Sequence, residues 1–533
     1  MPVKHYGIYI AYPPMADLKK EGLGRYLAMF LKGAEKLTDV RFTIVCPSWS
    51  RDSLAELFDS EQVSGHLFTI STPQGAPYAL KIFERLRKRR NIQRRKWAAD
   101  FTRKIKNFTL SFWGGIASRA VQVHSLPALL AFALSAGVKL LLAMVIGILA
   151  LPVVLAVAAV MHVFERLRRV RAFHRFLIMF MPGPGNRFAM QLFDEMHRAE
   201  LSRMHDIIVK SHDVQAWYCP VAFWPSFHEI RKPRLICIPD VWPTEFPVGF
   251  ASHEDRLRLV VDRISESIYQ ADHLVTYSSE IKWGTLVKHY GVSPHKISVI
   301  HHAPNRMDMF NSAAGLDQEL SLDHCAKVLL SAIRRGANPA YTNGFQNSKV
   351  KYIFYASQFR PNKNVLTLLR AYLYLLRRRY ISHKLLLTGN SQESTIKEFV
   401  LKNRLENDVL FLHNLSLNEL AACYQLADLA VNPSFAEGGC PFTFTEALSV
   451  GTPVVMARIP VTEEILTDPA LQNLTLFDPY SWKDCAGRIE WAIHHRAELL
   501  RVQSAAYEML AQRTWTDVVK EHVAILESIS HHG

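Results

Sequence analysis

The sequence predicts an α/β protein: two doubly wound Rossmann-like domains, with a hydrophobic helical insertion in the first. Three observations carry this expectation. Short apolar runs alternate with helical segments in both halves, the pattern of parallel sheets covered by helices. The series restarts after a polar, turn-rich stretch near residue 345. Finally, 533 residues exceed what one ordinary core fills.

Taken in order, strands are expected at 6–12 (YGIYIAY), 41–47 (RFTIVCP), 67–72 (LFTIST), 206–211 (DIIVKS), 234–240 (RLICIPD), 273–278 (HLVTYS) and 297–304 (ISVIHHAP). They make up an N-terminal domain, 1–307. Residues 308–347 are polar and weakly periodic and read as a linker. A second series follows at 352–357, 384–389, 409–414, 429–434, 453–458 and 474–479, giving a C-terminal domain, 348–510. A last helix, 511–533, is expected to cross back to the N-terminal domain.

Residues 75–190 interrupt this pattern. A basic run, KIFERLRKRRNIQRRKW (81–97), precedes an apolar stretch at 126–164 whose only formal charge is Lys139; RLRRVRAFHR (166–175) closes it. A helix hydrophobic all round belongs inside a large protein or in lipid, and about 20 apolar residues span a bilayer. Membrane insertion is therefore expected over a buried core helix. The chain must return to the side it left to complete its sheet, so a re-entrant hairpin or two short tilted helices is the expected form. Basic flanks stay cytoplasmic and attract anionic lipids, which places the protein on the cytoplasmic face of the cell (inner) membrane.

The balance of 63 Lys+Arg against 48 Asp+Glu is basic. The flanking charges lack interleaved stacking aromatics, so lipid is favoured over RNA and no nucleic-acid partner is expected. The seven cysteines are scattered without metal-ligand spacing, which points to reduced thiols and no zinc site. The N-terminus enters a strand-like run, and no cleavable signal is expected. Oligomeric state is not legible.

The stretch PSFAEGGCPFTFTEALSVGTPVV (433–455) concentrates the chemistry. Ligands of open α/β sheets bind beyond the carboxyl ends of strands. Here Gly438 and Gly439 allow close backbone approach, and Cys440, Pro441, Phe442 and Thr443 lead into a helix whose start favours an anion. Glu437 and Glu446 suit the diols of a nucleotide-sugar, one at the hexose and one at the ribose. The alternative for Glu446 is a capping box with Thr443. In SQFRPNKN (357–364), Arg360 and Lys363 supply countercharge for a diphosphate; solvated loop cations are the alternative. Gly389 and Asn390, in TGNS (388–391), are further candidates for base or sugar.

These blocks resemble glycosyltransferase family 4, retaining enzymes of GT-B fold. FYASQFRPNKN, NPSFAEGG, EALSVGTPVV, EEI (463–465) and RTWTDVVKEHVAIL (513–526) follow the family pattern. The resemblance implies Glu446 at the ribose, Glu437 at the transferred sugar, amides near Gly439 to Phe442 on sugar and phosphate, and Arg360 with Lys363 on the leaving diphosphate. Two departures stand out: one extra residue separates the glutamates, and the phosphate-binding arginine is shifted to Arg360, as in some mannosyltransferases acting on lipid-linked oligosaccharides. EGLGRYL (21–27) is similar to the family's glycine loop, with Gly22 and Gly24 near diphosphate or acceptor; a plain helix-opening turn is the alternative. IPDVWPTEFP (238–247) places Asp240 at acceptor or reacting sugar, with Pro239 where histidine is common. His301 and His302 read as structural.

The resemblance implies a hexosyltransferase that moves a sugar, with mannose a candidate, from a nucleoside-diphosphate sugar to a membrane-borne, lipid-linked glycan of cell-surface polysaccharide synthesis. It implies retention of configuration and no cofactor or metal. The rival readings are a catalytically silent nucleotide-sugar-binding scaffold and a basic membrane or RNA-binding protein.

Overall fold

The computed structural model describes residues 3–14, 16, 18, 22–75, 77, 80, single positions between 127 and 141, 187–241, 254–310, 318–336, 350–389 and 394–531. The chain divides into two compact units, residues 1–72 with 203–533, and residues 73–202. Both sheets belong to the first unit.

The first sheet has seven parallel strands: β1 (Lys4–Tyr9), β2 (Val40–Val45), β3 (Phe68–Ser71), β4 (Ala216–Cys219), β5 (Arg234–Cys237), β6 (His273–Thr276) and β7 (Ile297–Val299). Their spatial order is β3-β2-β1-β4-β5-β6-β7. Tyr6 pairs with Phe42 on one side and Ala216 on the other. Central strands covered on both faces need continuous apolar runs, and Tyr6, Ile8, Trp217 and Tyr218 are fully buried. The winding direction reverses between β1 and β4, so a crevice opens at their carboxyl ends.

The second sheet repeats the plan with β8 (Tyr352–Tyr355), β9 (Lys384–Leu387), β10 (Val409–Phe411), β11 (Leu429–Asn432), β12 (Val454–Ala457) and β13 (Leu476–Phe477), in the order β10-β9-β8-β11-β12-β13. All its pairings are parallel, and its reversal lies between β8 and β11.

The helices that matter below are α1 (Gly22–Ala34), α2 (Arg187–Lys210), α3 (Gln318–Gly336), α4 (Val365–Arg378), α5 (Leu417–Gln425), α6 (Phe442–Leu448), α7 (Trp482–His494) and α8 (Trp515–His531). Helices α4 and α7 pack together on one face of the second sheet, around Leu368, Leu369 and Ile489. Helix α8 returns to the first sheet. It lies against α1 and β4, and Lys4 Nζ donates to Glu527 Oε2 at 2.8 Å. Gly33 makes the contact possible, because a Cβ there would run into the Trp515 backbone.

Two expectations are corrected. Residues 206–211 are not a strand but lie largely in the last turn of α2: Met204 and Ile208 are buried while Val209 is exposed, a helical period rather than alternation. The strand of this region is β4. The stretch 308–347, expected as a linker, contains α3, whose Leu329 and Ile333 join the second core. Arg335 pairs with Glu419 of α5 at 2.7 Å.

The apolar stretch 126–164 lies mostly outside the described residues. Among those described, Leu130, Leu134, Val138 and Leu141 are helical and exposed. Among the described residues, no helix is long and apolar enough to cross a membrane.

Candidate functional site

The site grows from the reversal point of the second sheet. The chain leaving β8 makes one 3-10 turn at Pro361–Lys363 and then a left-handed residue, Asn364 (φ 50°), a conformation that asparagine tolerates. Asn364 Nδ2 donates to the carbonyls of Pro433 (3.0 Å) and Pro479 (2.9 Å). The Phe435 amide donates to the Asn362 carbonyl at 2.8 Å, and Asn362 Nδ2 to the Ala436 carbonyl at 3.4 Å. The loop after β8 is thereby stitched to the loop after β11.

This stitching fixes Lys363 on Glu437, with Nζ 2.7 and 2.9 Å from the two carboxylate oxygens. Asn432 Nδ2 adds a third donor to Glu437 at 3.4 Å. Burial by itself would lower the Lys363 ammonium, but the charge and hydrogen bonds of Glu437, with Tyr355 and Asp240, together outweigh it and the net direction is upward, so the lysine stays cationic.

The glycine turn that follows meets the opposite lobe. Ser278 Oγ donates to the Gly438 carbonyl at 3.0 Å. A Cβ on Gly438 would collide with the Pro239 carbonyl, and one on Gly439 would press on Tyr277 and His302. The missing side chains therefore serve close approach, and in this structure the group approached is the N-terminal lobe. Nearby, Glu464 of EEI accepts from the amides of Ser279 (2.8 Å) and Glu280 (3.2 Å).

A cavity with about 580 Å³ of accessible volume lies between the two carboxyl edges. Of the expected residues, Gly22, Asp240, Arg360 and Glu437 line it, together with Gly438, Gly439, Cys440 and Phe442. Arg360 is exposed at its rim. Lys363 lies behind Glu437. Burial pushes the Cys440 thiol up to about 12, so it is not a thiolate nucleophile at neutral pH.

Among the described residues, the remaining candidates do not line the cavity. Pro441 occupies the N-cap position of α6 and Thr443 is buried within that helix. Gly24 and Gly389 answer to packing: a Cβ would strike the Leu18 carbonyl at the first and the Phe359 ring at the second. Asn390 lies outside the described residues.

Glu446 is buried behind Phe442. It does not cap α6; its Oε1 accepts from Arg25 Nη1 at 2.9 Å and from Asn305 Nδ2 at 3.3 Å. Both partners come from outside the second sheet's strands and helices, so the capping alternative gives way to a contact between lobes. Sequence reasoning missed Arg25 and Asn305; the only hint was the arginine that ends the glycine loop.

His302, read from sequence as structural, lines the cavity, with its ring centroid 4.5 Å from that of Phe442. Burial pushes its imidazole down to about 4, so it is neutral at physiological pH. Among the described residues, no group of three or more His, Cys, Asp or Glu side chains is placed to hold a metal ion.

Residues 343–509 match the model of the family described as Glycosyl transferases group 1. The O-antigen chain mannosyltransferase RfbU of Salmonella typhimurium is 25% identical over 268 residues, covering 49% of this chain and 62% of the relative, so the match spans somewhat under two thirds of that protein. A glycosyltransferase from Rickettsia africae ESF-5 superposes with a TM-score of 0.53 at 12% identity, covering 99% of both chains. Anabaena Alr3699/HepE, solved in complex with UDP and glucose, gives a TM-score of 0.54 at 12% identity over 98% of this chain and 100% of its own. The fold is of GT-B type: two parallel Rossmann-like sheets with facing carboxyl edges.

Proposed function

We propose that the protein is a retaining glycosyltransferase that moves a hexose from a nucleoside-diphosphate sugar to a lipid-linked glycan of cell-surface polysaccharide synthesis. The observation that carries it is Glu437, held by Lys363 at the reversal point of the second sheet and lining one cavity with Asp240 and His302, with Arg360 at its rim. The likeness of residues 343–509 to group 1 glycosyl transferases supports the same reading, and the likeness to RfbU makes mannose the leading sugar.

In this reading the donor lies along the edge of the second sheet. Arg360 and Lys363 balance the charge of the departing diphosphate; two Lys363 donors go to Glu437, leaving a third for a phosphate oxygen. Glu437 and the amides of Gly439, Cys440 and Phe442 hold the hexose hydroxyls. The bond between the anomeric carbon and the diphosphate oxygen breaks, and its electron pair leaves with the diphosphate. The acceptor oxygen bonds to the same face of that carbon, and its proton passes to the diphosphate. Asp240 orients the acceptor hydroxyl. Family 4 membership and independence of metal are part of the same proposal. Glu446, buried against Arg25 and Asn305, takes the ribose once the lobes separate enough to expose it.

Membrane attachment through 126–164, at the cytoplasmic face, belongs to this reading. The exposed Leu130, Leu134, Val138 and Leu141 support it, since helical apolar side chains left outside a core favour lipid over water. Anionic lipids would meet the flanking basic runs.

The test is a screen of UDP- and GDP-hexoses with and without a chelator, reading released nucleoside diphosphate in the presence of lipid extract. One donor should be consumed, chelator should leave its rate unchanged, and the product should carry the donor's anomeric configuration. Nucleotide binding without release with any acceptor would favour the silent scaffold.

A further inference from the structure

We infer that the acceptor end of the cavity is an aromatic platform for a neutral sugar ring, so that this protein extends a glycan already in place instead of adding the first sugar to a lipid diphosphate. The inference rests on the proposed transferase reading and names its acceptor class.

The platform sits at the reversal point of the first sheet, the position in that sheet equivalent to the Lys363–Glu437 pair in the second. Tyr12 and Pro13 follow β1, and Val221, Phe223 and Trp224 follow β4; all five line the cavity. Tyr12 and Trp224 meet edge to face, with centroids 5.2 Å apart. Both are held from behind. Trp49 Nε1 donates to the Tyr12 carbonyl at 2.9 Å. Tyr9 packs against Trp224 at 6.3 Å, and its hydroxyl lies 2.7 Å from Ser226 Oγ in the turn that follows. Phe223 is half-buried, so part of its ring remains open to the cavity.

Fixed aromatic faces bordered by one carboxylate, Asp240, match the chemistry of a pyranose. Its axial C–H face is apolar and packs on an aromatic ring, while its rim of hydroxyls needs an acceptor. A diphosphate needs cations instead. The cavity's only lining lysine or arginine among the described residues is Arg360, on the donor side. With a pyranose on the platform, the acceptor's own diphosphate lies away from the reacting hydroxyl, with at least one sugar between them. The reaction that supplies this substrate is then an earlier glycosyl transfer onto the lipid diphosphate.

The experiment uses the full chain in detergent, with two acceptor series for the donor found in the screen: octyl-linked neutral disaccharides, and monosaccharides joined directly to farnesyl diphosphate. Trp224 is packed on Tyr9 and Tyr12, so half-buried Phe223 is changed first, to Ala and to Tyr. An octyl disaccharide should be extended. Phe223→Ala should raise its KM about tenfold, the scale of one lost aromatic contact, and Phe223→Tyr should restore it. The dissociation constant for UDP or GDP should move less than twofold. Turnover confined to the farnesyl diphosphate series, or an unchanged acceptor KM in Phe223→Ala, overturns the platform while leaving the transferase reading standing. Failure to bind either nucleotide overturns both.

Discussion

Arg25 Nη1 lies 2.9 Å from Glu446 Oε1, joining a helix of the first sheet's lobe to a buried carboxylate of the second across 421 residues of sequence. Removing one member of a buried pair leaves the other uncompensated, at a cost of about 3–5 kcal/mol. Asn305 still donates to Glu446, so Arg25→Ala should lose about 3 kcal/mol in denaturant unfolding, the lower end of that range. Arg25→Met with Glu446→Gln should lose clearly less than the sum of the single changes. Additive losses would show that the contact carries no coupling.

Lys363→Ala should lower turnover by about 10²- to 10³-fold, the scale of one preorganised charge on a leaving group. Circular dichroism should show an intact fold. Near-normal turnover would remove the lysine from the diphosphate.

Gly438→Ala puts a methyl group where the Pro239 carbonyl stands. Backbone on both sides cannot yield cheaply, so the lobes should be held apart. Small-angle scattering should show a larger radius of gyration, and kcat/KM should fall at least about tenfold, since misplacement by about 1 Å costs up to 10²-fold. Unchanged scattering would place the accommodation within the loop.

Stability should fall in mild acid. Burial pushes the imidazoles of His302, His522 and His228 down to about 4 from an ordinary 6.5. Below pH 6.5 the unfolded chain takes up these protons while the folded one does not until near pH 4, so stability present at neutral pH is lost across that window. His522 is fully buried between the Val518 carbonyl and the Tyr26 hydroxyl. Its share at pH 4 is on the order of 3 kcal/mol. Chemical denaturation at pH 7 and pH 5 should show the loss, and His522→Gln should flatten it. A pH-independent midpoint would contradict neutral burial.

Deleting 126–164 should shift the protein from the membrane pellet to the supernatant in a carbonate wash. Retention in the pellet would assign attachment to another surface.

Much of the second lobe was legible because its signals are local. Each strand is a short apolar run bounded by turn residues, and PNKN and AEGG lie in the loops that follow β8 and β11, where ligands of such sheets collect. The first lobe was harder to read. AWYC (216–219) is only four residues long, and DIIVKS beside it carries enough branched apolar residues to pass for a strand although its buried positions follow a helical period. With β4 misplaced, the reversal point beside β1 was hidden, and Phe223 and Trp224 with it.

The sequence by itself determined the two-sheet architecture, the carboxyl-edge loops and the identity of the charged residues in them, since periodicity and turn chemistry act over a few neighbours. Only the tertiary structure decided who meets whom. It showed that Lys363 neutralises Glu437, that Glu446 is claimed by Arg25 and Asn305, that Gly24 and Gly389 serve packing, and that His302 belongs to the cavity. Those facts are distances between segments tens to hundreds of residues apart, set by how two separately wound sheets close on each other, and no local pattern encodes them.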